Sequence, residues 1–110
     1  MRKLRVIRVS STVLDNFKSN FSHVKNKSDF IRRLLKEIPS QQSDLKMHCR
    51  QIKEDLTQLP LYLTDSEYED LKQNMEKFKA SSVPYFLEAC LLHASVNLAQ
   101  SSFEKEAQYA

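Results

Sequence analysis

Leu59-Pro60-Leu61-Tyr62-Leu63-Thr64, set beside Arg5-Val6-Ile7-Arg8-Val9-Ser10, is the comparison on which the fold turns. The first stretch alternates cleanly. Leu59, Leu61 and Leu63 fall on one side of an extended chain and Gln58, Pro60 and Tyr62 on the other, because successive strand side chains point to opposite faces. The second stretch is less regular: Ile7 and Val9 take inward positions and Arg8 points outward, while the same register puts Arg5 inward and Val6 outward. Each strand runs directly into a helix-start signal, Ser10-Ser11-Thr12 in one case and Thr64-Asp65-Ser66-Glu67 in the other, the latter with the spacing of a capping box.

The parallel continues along the chain. Val13, Leu14, Phe17 and Phe21 recur at helical intervals after the first cap, and Tyr68, Leu71, Met75 and Phe78 answer them after the second. A polar break follows in each copy, then a new cap at Asn26 and at Ser82, where Pro84 falls in a first helical turn that tolerates it. The buried positions of the next helix match as Phe30 with Phe86, Ile31 with Leu87, Leu34 with Cys90 and Leu35 with Leu91, given an inter-helix loop two residues longer in the second copy. Between the copies, Leu45, Cys49, Ile52 and Leu56 form a narrow apolar seam that predicts a linking helix. The expected division is unit 1 over 1–38, linking helix over 39–57, unit 2 over 58–98 and a solvated tail over 99–110.

Composition narrows the functional classes. The chain has 110 residues, 41% hydrophobic and 28% charged, enough apolar material for one small core and too little length for a two-lobed enzyme. It contains no glycine, whereas loops that cradle nucleotide phosphates need glycine to let the backbone approach the ligand. No nucleophile motif surrounds any serine, and His23, His48, His93, Cys49 and Cys90 show no zinc-site spacing, so neither an enzyme nor a metal or cofactor is expected. The longest apolar stretch, 83–94, includes Glu88 and His93 and is shorter than the roughly 20 residues of a membrane span. With its N-terminus basic rather than apolar, a cytoplasmic protein is expected. The net charge of +3 is unevenly placed: residues 1–38 carry ten Lys/Arg against three acids, while 58–110 carry four against eight. Such a basic segment is what a polyanion binder presents.

The order strand, helix, helix, connector, strand, helix, helix resembles the ribbon-helix-helix family of the Arc and methionine repressors, over about 75 of the 110 residues. The resemblance implies a mainly α fold with a short two-stranded antiparallel β-ribbon, in which two units share one core. Pairing of the two copies within one chain, as a pseudo-dimer, is the preferred architecture. The rival is pairing of like with like between chains, which the charge asymmetry favours. In this family the outward face of the ribbon enters the DNA major groove. Carried onto this sequence, the base-reading positions are Leu4, Val6 and Arg8 in copy one and Gln58, Pro60 and Tyr62 in copy two. Pro60 stands out because it removes a backbone donor from its strand. A one-residue slip would turn Lys3 and Arg5 outward, making them secondary DNA contacts. Asn26, Lys27 and Ser28, with Ser81 and Ser82, are the candidates for phosphate binding at the starts of the second helices.

Tandem units in one short chain look like the relaxosome accessory proteins of conjugative plasmids, which act beside a relaxase. The implied function is sequence-specific binding of double-stranded DNA as a transfer accessory protein or an autoregulatory transcriptional repressor, with a relaxase or other DNA-processing protein as partner and homo-oligomers forming on DNA. The alternatives are an antitoxin, for which the tail is short, and a helical adaptor that binds only protein.

Overall fold

The computed structural model describes residues 1–47 and 55–98. The chain runs β1 (Lys3–Ser10), α1 (Ser11–Asn20), α2 (Lys27–Gln41), β2 (Leu56–Leu63), α3 (Asp65–Lys77) and α4 (Val83–His93), and α4 continues as a π-helical turn over Ala94–Leu98. The fold is mostly helical with one two-stranded antiparallel sheet.

β1 and β2 pair within the chain from Ser10↔Leu56 to Lys3↔Leu63, with Val6 opposite Pro60 at the middle of the ladder. Only one face of this ribbon is covered. Ile7, Val9, Leu59, Leu61 and Leu63 point into the core, and the helices lie beneath them. A two-stranded ribbon alone is at best marginally stable, so the helices supply the apolar surface that makes it persist.

α1, α2 and α3 each begin where a side chain satisfies an orphan backbone donor. The Ser10 hydroxyl accepts from the Val13 N–H and the Asn26 amide oxygen from the Asp29 N–H at 3.0 Å. At α3 the expected capping box is complete: Glu67 N–H donates to the Thr64 hydroxyl at 3.0 Å and Thr64 N–H to the Glu67 carboxylate at 2.8 Å. α1 buries Val13, Leu14 and Phe17, and α2 buries Ile31, Leu34, Leu35 and Ile38, each set at helical spacing. Phe17, Phe21 and Phe30 pack their rings together, with centroids 4.9–6.0 Å apart. α4 is apolar on nearly every side and occupies the centre, with Phe86, Leu87, Cys90 and Leu91 inaccessible to solvent.

Three boundaries differ from the sequence expectation. The two extra residues of the second copy lie in α3, three residues longer than α1, while the loop 78–82 is one residue shorter than the loop 21–26. α2 does not stop at 38 but runs through Pro39 to Gln41, whose successor Gln42 donates its N–H to the Ile38 carbonyl at 2.9 Å. The linking helix is not formed where the chain is described. Residues 42–47 are non-helical, Leu45 is buried from an irregular segment, and Leu56 opens β2. Cys49 and Ile52, like the tail 99–110, lie outside the described residues.

Candidate nucleic-acid interface

Backbone hydrogen bonds fix which cross-strand pairs lie close together on the open face of the ribbon. Ser11 N–H donates to the Asp55 carbonyl at 3.0 Å, continuing the ladder one pair beyond Ser10↔Leu56. In an antiparallel ladder, hydrogen-bonded and non-hydrogen-bonded pairs alternate. Pairing 11 with 55 therefore makes the odd-numbered β1 positions the bonded ones, and Leu4·Tyr62, Val6·Pro60 and Arg8·Gln58 the non-bonded ones. The Tyr62 carbonyl agrees: it points away from β1 and accepts from Arg32 Nη1 at 3.3 Å. Pro60 shares the phase of Tyr62, so its missing N–H would have faced away from β1, and the ladder loses nothing.

The same three pairs form the exposed face. Leu4, Val6 and Tyr62 are each about half exposed, at 51%, 52% and 52%, and Arg8, Gln58 and Pro60 are exposed beside them. Non-bonded pairs bring side chains closer than bonded ones, with Cα atoms about 4.5 Å apart. The six side chains thus make a compact strip rather than two separate rows.

Lys3 and Arg5 sit on the opposite, helix-facing side, so the one-residue slip that would have turned them outward does not occur. Their charges are engaged by the first turn of α3. Lys3 Nζ lies 3.5 Å and Arg5 Nη2 3.4 Å from the Asp65 carboxylate, and Arg2 Nε lies 3.3 Å from Glu67. The Arg5 guanidinium also stacks over the Tyr68 ring at 4.2 Å. The excess charge of the first third is therefore partly met by acids of the second copy at this edge. The backbone N–H of Thr64 and the Arg2 guanidinium hold the Glu67 carboxyl below its ordinary pKa.

At the start of α2, the Asn26 side chain caps the helix and Lys27 Nζ lies on the Val24 carbonyl at 3.2 Å, while Ser28 is half-buried. At the start of α4, Ser81 is exposed, and Ser82 occupies the cap position without a side-chain capping bond. The two helix starts thus differ: one is closed by its own amide, and the other has no side-chain capping bond.

Two residues the sequence reading passed over hold the ribbon in place. Arg32, at the second-helix position matched by Glu88, is only 13% exposed; it reaches β2 through the Tyr62 carbonyl and pairs with Asp29 at 3.3 Å. Glu88 is wholly buried, and its carboxylate accepts the Ser10 N–H at the end of β1. Each second helix therefore bonds to the strand of the other copy. The signal was present in the alignment, because a charged residue follows Ile31 and Leu87 in the middle of each apolar helix face.

Burial pushes the Cys90 thiol up to about 12, which leaves it protonated and a poor metal ligand. Among the described residues no three His, Cys, Asp or Glu side chains gather as a metal site, and no helix is long and apolar enough to cross a membrane. Comparison with family models, with curated proteins and with solved structures found no match.

Proposed function

We propose that this chain binds double-stranded DNA in a sequence-specific way, as an intrachain pseudo-dimer of two ribbon-helix-helix units whose open ribbon face enters the major groove. The observation that carries this reading is the strip formed by Leu4, Val6, Arg8, Gln58, Pro60 and Tyr62: exposed, backed by a packed core and closely paired across the strands. A major groove about 12 Å wide admits a two-stranded ribbon, and an arginine or glutamine on it can address guanine or adenine bidentately. The crossed bonds from Arg32 to β2 and from Glu88 to β1 support the pseudo-dimer, since each unit completes the other. Phosphates are held by Lys27 and Ser28 at the start of α2 and by Ser81 and Ser82 at the start of α4. In the cell this activity serves plasmid transfer beside a relaxase, or repression of the chain's own transcription.

Binding to labelled duplex DNA across a salt series tests the proposal. Affinity should fall steeply between about 50 and 200 mM salt, with a logarithmic slope near −0.9 for each phosphate neutralised. Arg8→Ala should lower preference for a selected site over random duplex by about 5- to 150-fold and leave the fold intact. Absence of salt-sensitive duplex binding would mark the chain as a protein-binding helical adaptor instead.

A further inference from the structure

The two ends of the ribbon strip are chemically unlike, although the repeat equates them. Val6 faces Pro60 at the centre, and these are the residues that the strand alignment makes equivalent. The same alignment equates Arg8 with Tyr62 and Leu4 with Gln58. One end of the strip therefore joins Arg8 to Gln58, and the other joins Leu4 to Tyr62. A ribbon made of two identical strands would carry the same pair at both ends.

The first end holds a guanidinium and a carboxamide, both able to make paired hydrogen bonds to purine edges. The second holds an isobutyl group and a phenol, with a single hydroxyl between them. The centre has no side-chain polar atom, and Pro60 has no backbone N–H to offer. Leu4, Val6 and Tyr62, each about half exposed, present their apolar groups together on the open face. The apolar feature of a major groove that fits such a strip is the C5-methyl group of thymine. Adjacent outward pairs lie two residues apart, about 6.8 Å, so the two ends are about 14 Å apart. At a rise of about 3.4 Å this spans four base-pair steps.

Resting on the DNA-binding reading above, the geometry points to a non-palindromic target with one polar and one methyl-reading end. Guanine or adenine lies under Arg8 and Gln58, and thymine lies about four base pairs away under Leu4 and Tyr62. The strip fixes the direction in which the chain lies on the duplex, which an equal-ended ribbon cannot do.

The test is selection of duplexes from a random library by the full chain, followed by single-atom scanning of the selected site. Replacing each guanine by 7-deazaguanine removes the N7 acceptor, and replacing each thymine by uracil removes only the methyl group. The 7-deaza penalty, about fivefold or more, should fall at one end, and the uracil penalty, about fourfold, at the other. Leu4→Ala should abolish the uracil penalty and keep the 7-deaza penalty, and Arg8→Ala should do the reverse. Both residues are exposed, so neither change threatens the fold. A palindromic site with both penalties at both ends, or a uracil penalty absent from the Leu4 end, overturns the inference while leaving DNA binding standing. Enrichment of no duplex overturns the DNA reading itself and this inference with it.

Discussion

Lys79 is the described non-glycine residue with positive φ, at 58°, where a β-carbon crowds the following carbonyl. It closes α3 in a Schellman arrangement: its own N–H donates to the Glu76 carbonyl at 3.1 Å and that of Ala80 to Met75 at 3.0 Å. A chain without glycine has accepted the strain at the position where glycine is the usual choice. Lys79→Gly should stabilise the fold by about 1 kcal/mol, read as a higher midpoint of thermal unfolding. Glu67 makes a second prediction at this scale. Its carboxyl titrates below the ordinary value of 4.5 in the folded chain, so the capping box contributes fully above that value and loses its charged contribution as pH falls through the folded pKa. Glu67→Gln keeps an acceptor oxygen but not the charge. It should therefore unfold at lower temperature than the parent at pH 7, and the gap should narrow as pH falls below the ordinary carboxyl value.

At the scale of elements, β2 shows how a strand tolerates proline. Pro60 lies in a non-hydrogen-bonded pair, so Pro60→Thr should change stability by no more than about 0.5 kcal/mol. Thr57, three residues away, lies in a hydrogen-bonded pair with Val9, and Thr57→Pro should cost about 1–3 kcal/mol in denaturant titration. A near-neutral Thr57→Pro together with a stabilising Pro60→Thr would mean that the ladder phase is the reverse. Strands, caps and inward faces were legible because each rests on local chemistry: alternation at Leu59, Leu61 and Leu63, a hydroxyl at Ser10, an acid three residues past Thr64. The linking-helix seam fails at Leu56, which is the first residue of β2 and lies opposite Ser10. There the long-range strand pairing outweighs a local helical periodicity. Arg32 and Glu88 escaped for a related reason: a single charge in an apolar helix face reads as a solvated position until the opposite strand is in view.

For the molecule as a whole, the decisive arrangement is that neither copy buries its own strand unaided. The inner face of β1 packs with β2 and with α4, whose carboxylate at Glu88 holds the Ser10 N–H, while Arg32 of α2 holds Tyr62 of β2. Were the two strands of such a ribbon on separate chains, folding and association would be one event, and stability would rise with protein concentration. Here β1 and β2 lie on the same chain, and a covalent connection replaces a bimolecular encounter with an entropic cost that grows only slowly with the length of the connection. Unfolding should accordingly show the same midpoint across about a hundredfold range of concentration, and sedimentation at the dilute end should give the mass of one chain. A midpoint that climbs with concentration would mean that basic copy pairs with basic copy between chains, and it would remove Gln58 and Tyr62 from the side of Arg8 and Leu4. The unlike ends of the strip exist only if β1 and β2 of a single chain lie side by side, so one calorimetric series bears on both the architecture and the direction in which the chain would read DNA.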